Sequence, residues 1–385
     1  MKTYCIFTAH YLPIVGGVER YSYNLAKHLA GAGNKVFIVT SNSMNISELE
    51  SDSGVKIYRF PCFNLLKGRF PFIKINRRFR ALYNQLLMES IDYVIVNTRF
   101  YPHSLFGVWF GAKIGVRTVV IEHGTSHFTI NSKLLDCVGH LYEHGITFLI
   151  KRYTTEFYGV SEACSHWLEH FKIKTSGIFY NAVDLDEIAE LKKTTSLSFR
   201  NEHGINESDI VVVYTGRLIR EKGVMKLIDA VSTLVSSGTP LFLLIAGDGE
   251  LRSEVESKRS KNIIPLGVLD FPSVIALLNQ SDIFCLPTDY AEGFPTSIIE
   301  AAACHCYCIS TTKGGSKELI VSEKHGYILQ DNTTDEIVSS LLYATSNPEY
   351  RKEAAKNAYD RVSQLFSWRT VFQKIIETFQ SEVDK

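Results

Sequence analysis

The chain has 385 residues, 45% of them hydrophobic and 21% charged, which suits a soluble globular protein of two or three domains and leaves no run of about eighteen apolar residues for a membrane span. Its formal net charge is zero, yet residues 1–180 hold 20 Lys and Arg against 12 Asp and Glu, while residues 181–385 hold 21 against 29. The basic half invites an acidic partner or an anionic membrane, and the acidic half argues against nucleic acid along the whole chain.

The first ten residues contain an apolar stretch too short for a signal peptide, and it reads instead as a strand over 4–8. Gly16-Gly17 then lets backbone approach a phosphate closely. A helix over 19–30 follows, with Tyr21, Leu25 and Leu29 at helical spacing and Gly31 and Gly33 at its end. Residues 35–40 are the next strand. The stretch 67–80 mixes six cations with aromatics and no acid. It is either a solvated helix face, a nucleic-acid contact or, as favoured here, an amphipathic surface that rests on an anionic bilayer. Strands over 93–97 and 118–122 follow, and Glu122-His123-Gly124 ends the second of them. A neutral His123 there suits a hydrogen bond to a sugar hydroxyl, the alternative being a packed or solvent-facing ring.

The polar stretch 183–209 reads as a hinge. Beyond it the plan repeats, with strands over 210–215, 241–246, 283–286 and 306–310 and a helix over 224–236. Apolar runs without alternation predict strands buried on both faces, hence two parallel α/β sheets with a cleft between them. Arg217 and Lys222 lie in the loop directly after the first of these strands, where open α/β sheets bind ligands. A guanidinium fork and an ammonium suit a diphosphate, though a solvated basic loop would look the same. Neither Val15-Gly-Gly-Val-Glu-Arg20 nor Ala246-Gly-Asp-Gly-Glu250 completes a dinucleotide glycine fingerprint. Cys304-His-Cys-Tyr-Cys308 predicts cysteines lining one apolar face of a strand rather than a metal site. The eight scattered cysteines fit reduced thiols in a cytoplasmic protein. From Phe366 onward an amphipathic helix follows the finished second domain and crosses back to the first.

The most informative segment is Glu292-Gly-Phe-Pro-Thr-Ser-Ile-Ile-Glu300. Pro295 suits the first position of a helix, and Thr296 or Ser297 can satisfy its free N–H groups. Such a helix start attracts phosphate. Glu292 before it and Glu300 one turn inside it cannot hold a phosphate, but both accept hydrogen bonds from sugar hydroxyls. A phosphate flanked by two polyols describes a nucleotide-sugar.

Taken together, the motifs resemble the retaining glycosyltransferases of family 4, which have the GT-B fold. The resemblance rests on Gly16-Gly17-Val-Glu19, Gly159-Val-Ser-Glu162, Asn181-Ala-Val-Asp184, Gly216-Arg217 with Glu221-Lys222-Gly223, Gly247-Asp-Gly249, Glu292-x7-Glu300 and Gly314-Gly315-Ser-Lys-Glu318. It departs from the family at Ala182, His305, Tyr307 and Lys317, positions that touch packing more than donor chemistry. It implies two Rossmann-like domains facing across a cleft: an acceptor domain over 1–185, with the helix 366–385 packing back on it, and a donor domain over 186–365. It also implies that Arg217 and Lys222 hold the donor diphosphate and that Glu300 binds the ribose. Glu292 and His123 stand at the donor sugar, Gly293, Phe294, Pro295, Thr296 and Ser297 line sugar and phosphate, and Gly16 and Gly17 approach the phosphate. No metal or other cofactor is expected. The expected reaction moves a sugar from a UDP- or GDP-linked donor to a lipid-linked or cell-envelope glycan, in the cytoplasm or on the inner membrane face, without nucleic acid. Alternatives are a nucleotide-sugar epimerase of similar fold and a non-catalytic nucleotide-sugar-binding protein.

Overall fold

A computed structural model describes residues 1–14, 16–129 and 133–381. The chain divides into two units, one of Met1–Asn181 with the chain from Val371 onward, the other of Ala182–Thr370. In the first unit the strands are β1 (Thr3–Phe7), β2 (Lys35–Ser41), β3 (Leu49–Asp52), β4 (Val55–Phe60), β5 (Cys62–Leu65), β6 (Phe70–Ile73), β7 (Tyr93–Asn97), β8 (Arg117–Glu122), β9 (Phe157–Gly159) and β10 (Gly177–Ile178). Eight of them form one sheet in the order β10-β9-β8-β7-β1-β2-β4-β3. Only β3, at the edge, runs antiparallel to its neighbour in that sheet. The central strands β1 and β7 are buried along their whole length, as their unbroken apolar runs require. Phe7, Phe37, Phe60, Phe79 and Phe110 form the core beside them.

The second unit contains β11 (Ile210–Thr215), β12 (Leu241–Ala246), β13 (Ile263–Gly267), β14 (Ile283–Leu286), β15 (Tyr307–Thr311) and β16 (Tyr327–Leu329). All six run parallel, in the order β13-β12-β11-β14-β15-β16. The chain therefore starts in the middle of the sheet, winds outward to β13, and returns to wind outward on the other side. Between β11 and β14 the loops at the carboxyl ends leave in opposite directions and open a crevice. The first sheet has the same reversal between β1 and β7.

Three expectations need correction. The stretch 183–209 is not a bare linker. Asp184 caps the helix Leu185–Thr194 and Ser198 caps a short helix Phe199–Glu202. Lys192 and Arg200 tie both to the second unit through the carbonyls of Ala303 and Gln280. The basic stretch 67–80 is not one helical face. It covers the turn of the β5–β6 hairpin, β6 itself and the start of the helix Arg77–Leu87. Finally, the three cysteines near 306 do not share a strand. Cys304 ends the helix Thr296–Ala303, His305 takes a left-handed φ of 62°, and the strand begins only at Tyr307. All three thiols are buried, and those of Cys306 and Cys308 donate to backbone carbonyls.

The last helix is Trp368–Gln380. Its entry is set by Val183, whose N–H donates to Phe366 O and whose carbonyl accepts from Trp368 N. Its far end belongs to the first unit. There Phe379 lies 4.7 Å from the Tyr93 ring and 5.6 Å from that of Tyr4, and Arg117 donates to the carbonyl of Thr378 at 2.6 Å.

Candidate functional site

In the second unit, β11 ends in the loop that carries Arg217 and Lys222. A 3-10 turn over Arg220–Lys222 closes it onto Gly223, whose φ of 73° and close approach to the Pro287 carbonyl leave no room for a Cβ. The loop is pinned to the one after β14. The carbonyl of Glu221 accepts from Asp289 N at 2.7 Å and from Tyr290 N at 3.0 Å. Lys222 then meets Glu292 at 2.5 Å, both side chains being buried, and the Thr288 hydroxyl donates to the same carboxylate oxygen at 3.4 Å. Arg217 is exposed and sits over the Tyr290 ring, 4.8 Å from its centre.

The helix after this loop is Thr296–Ala303, preceded by Pro295 with φ −59°. It starts one residue later than Pro295 would suggest, so Thr296 and Ser297 fall inside its first turn and make no side-chain cap. Its leading N–H groups thus have no side-chain cap, a setting that favours an anion. Glu300 is buried on this helix. Phe294 is buried edge-on against Phe366 at 5.0 Å, and the space for its ring exists because residue 315 is glycine: a Cβ there would come within 2.5 Å of the ring. Gly315 N also donates to Gly293 O at 3.0 Å. Arg217, Lys222, Glu292, Gly293, Phe294, Pro295, Thr296, Ser297 and Glu300 therefore stand on the two pinned loops at the carboxyl ends of β11 and β14 and on the helix that follows the second.

The remaining sequence candidates lie in the first unit. Gly16 precedes the helix Gly17–Gly31 in extended conformation with no side-chain cap, and the buried Glu19 carboxylate folds back over its Cα. His123 follows β8. Its Nε2 lies 2.9 Å from Asn97 Oδ1, Asn97 Nδ2 donates to Ser22 Oγ at 2.9 Å, and that hydroxyl donates to Val18 O at 2.8 Å. The chain of donors fixes the tautomer. Asn97 Oδ1 can only accept, so His123 carries its proton on Nε2 and presents Nδ1 as an acceptor. Burial pushes the His123 pKa down to about 3, so the ring is neutral at ordinary pH. Tyr21 packs edge-on against it at 4.9 Å.

Sequence reasoning missed Asn97, which orients His123, and Arg99. The guanidinium of Arg99 is buried between the Glu122 and Glu143 carboxylates, at 3.4 and 3.2 Å. Burial raises the pKa of both acids while Arg99 opposes the shift. Glu122 in turn accepts from the N–H groups of His123 and Gly124, each at 3.0 Å, and so shapes the turn that presents His123. The available signal was a polar or charged residue at the carboxyl end of neighbouring apolar strands.

Two family models match this chain. Glycosyltransferase Family 4 covers residues 15–187, and Glycosyl transferases group 1 covers residues 195–361. The chain belongs to the family 4 glycosyltransferases. It is 25% identical to an uncharacterised glycosyltransferase of Methanocaldococcus jannaschii, over 98% of each chain. It is 26% identical to the GPI3 subunit of the Saccharomyces cerevisiae phosphatidylinositol N-acetylglucosaminyltransferase, over 96% of this chain and 80% of that one. The fold is like that of Anabaena HepE in complex with UDP-glucose, with a TM-score of 0.74 at 18% identity over 99% of this chain and 100% of that one. The two α/β units are thus the Rossmann-like domains of a GT-B glycosyltransferase.

The neutral His123 makes a pH prediction. Its folded pKa lies below the unfolded value of about 6.5, so the unfolded chain binds the extra proton. The stability it contributes is complete above pH 6.5 and is lost as pH falls toward 3. Wild type therefore loses about 1.4 kcal/mol through this residue between pH 7.5 and 5.5. Urea denaturation at both values should show that His123→Gln removes this part of the pH dependence; an unchanged dependence would contradict the buried neutral ring.

Proposed function

We propose that this glycosyltransferase moves a sugar from a UDP- or GDP-linked donor onto a lipid-linked or cell-envelope glycan, with retention of configuration. The observation that carries the reading is the second-domain crevice, where the loop after β11, with Arg217 and Lys222, is pinned to the loop after the neighbouring β14, which leads into the uncapped helix start at Thr296. Two cations and a helix N-terminus suit a diphosphate, whose negative charge grows as the glycosidic bond breaks. This arrangement supplies without a divalent metal the neutralisation that the leaving group needs. Glu292, held in place by Lys222 and Thr288, takes the hydroxyls of the transferred sugar, and Glu300 takes those of the ribose. In the first domain, Nδ1 of His123 accepts from a sugar hydroxyl. The Anabaena structure with UDP-glucose and the phosphatidylinositol-directed yeast relative support the donor and acceptor classes.

A membrane-bound acceptor also gives the β5–β6 region a role. Arg69, Lys74, Arg77, Arg78 and Arg80 are exposed there, beside exposed Phe63, Leu65, Leu66, Phe72 and Ile75. No helix among the described residues is long and apolar enough to cross a membrane. Cations mixed with exposed apolar side chains suit shallow docking on anionic lipid at the cytoplasmic face.

Each charge-assisted phosphate contact is worth about 1.5–3 kcal/mol. Arg217→Ala and Lys222→Ala should therefore each lower turnover roughly ten- to hundredfold on a panel of UDP- and GDP-sugars. Arg217→Ala should leave the melting temperature unchanged because its side chain is exposed. Lys222→Ala should also lower it, because Glu292 loses its buried cation. Full activity in the double variant would rule out the clamp. For the membrane, sedimentation with liposomes should rise with phosphatidylglycerol content, fall with salt, and drop in a variant with Arg77, Arg78 and Arg80 changed to Gln. Binding indifferent to all three would return the stretch to a plain solvated surface.

A further inference from the structure

Three histidines far apart in sequence converge on one point of the first domain, outside the donor crevice. His127 lies in the loop after β8, His144 on the helix Lys133–Ile150, and His170 at the end of the helix Glu162–Glu169. His170 Nε2 is 3.2 Å from His127 Nε2 and 3.1 Å from His144 Nε2, and the three ligand nitrogens all lie within 4.8 Å of one another. An imidazole nitrogen has one in-plane position, filled either by a proton or by a lone pair. A single proton on His170 Nε2 cannot serve two neighbours, and two lone pairs pointed at each other repel. A cation at the point of convergence removes the conflict. Nitrogens held by one zinc ion at about 2.0–2.1 Å in tetrahedral geometry stand about 3.3–3.4 Å apart, close to the two separations from His170, and the third pair lies within 4.8 Å.

The surroundings are those of a built ligand set. His127 Nδ1 lies 3.1 Å from Glu143 Oε2, so it carries the proton and leaves Nε2 with its lone pair toward the cluster. Glu143 is itself buried and fixed by Arg99 at 3.2 Å and by Phe128 N at 2.6 Å. The other rings are braced as well. His170 stacks on Trp167 at 4.9 Å with 6° between planes, His144 packs on Phe171 at 4.8 Å, and His140 stacks on His127 at 4.0 Å. His144 and His170 are exposed, so an ion can enter from solvent and keep water as its fourth ligand.

The geometry points to a transition-metal site, formed by Nε2 of His127, His144 and His170, that takes zinc or another imidazole-seeking divalent ion. Neutral imidazoles select Zn²⁺, Co²⁺, Ni²⁺ or Cu²⁺ over Mg²⁺ and Ca²⁺. The ion fastens the loop that leaves His123 to two helices of the same domain. It holds structure rather than substrate, so the site is independent of the sugar-transfer reading above.

The test uses full-length untagged protein stripped with chelator and then titrated with Co²⁺. One Co²⁺ per chain should bind, with visible absorption of a four-coordinate ion that equimolar Zn²⁺ abolishes and excess Mg²⁺ does not. His144→Ala and His170→Ala should each weaken binding by more than the roughly 10–100-fold typical of losing a supporting partner. His166→Ala, an exposed histidine outside the cluster, should leave it unchanged. Imidazole NMR signals of wild type on adding Zn²⁺ read the ligand set without any substitution, and should shift at Nε2 of these three rings. No stoichiometric Co²⁺ binding, or equal binding by wild type and the His144→Ala, His170→Ala double variant, overturns the inference.

Discussion

A parallel sheet that begins in its own middle must reverse direction once, and at that reversal two strand ends deliver their loops to opposite sides. In the second domain the strands are β11 and β14. Every donor-binding candidate of that domain stands on their loops or on the helix that follows. Backbone hydrogen bonds from Asp289 and Tyr290 to Glu221 lock the two loops together, so Lys222 and Glu292 meet by construction of the backbone. The first domain repeats the reversal between β1 and β7, and Gly16 and Asn97 follow from it.

Buried charge is the second theme. Lys222 with Glu292, and Arg99 with Glu122 and Glu143, are charges withdrawn from water. Such pairs add little net stability, because desolvation offsets attraction, but removing one partner costs about 3–5 kcal/mol. Their value here is positional. Lys222 fixes a carboxylate at the crevice, while Arg99 and its acids shape the turn of His123 and, through Glu143, orient His127. One polar network of the first domain, running through Glu122, Arg99 and Glu143, thus joins the turn at His123 to the histidine cluster.

The sheets were legible because both faces of a parallel strand are buried, which leaves runs such as Ile210-Val-Val-Val-Tyr-Thr215 with no polar alternation. The candidate residues of the crevice were legible because they are close in sequence: Arg217 and Lys222 on one loop, Glu292 to Glu300 on the other and the helix it leads into. Less could be read where the determinant was tertiary. The helix Leu185–Thr194 buries little of itself, so its apolar period was faint, although Asp184 was a readable cap. The β5–β6 hairpin hid within a charge run, since cations obscure the alternation of Phe70 and Phe72. Asn97 with His123, and His127 with His144 and His170, are brought together only by folding. Their sequence separations hold no periodic signal.

The proposed place for a nucleoside diphosphate is the crevice between β11 and β14. Amide hydrogen exchange of the full chain, with and without saturating UDP or GDP, reads its occupancy. One of the two nucleotides should slow exchange at 216–223 and 293–300 while leaving the β3–β4 edge of the first sheet unchanged. Protection absent from both segments under saturation, or confined to regions outside the crevice, would contradict the claim.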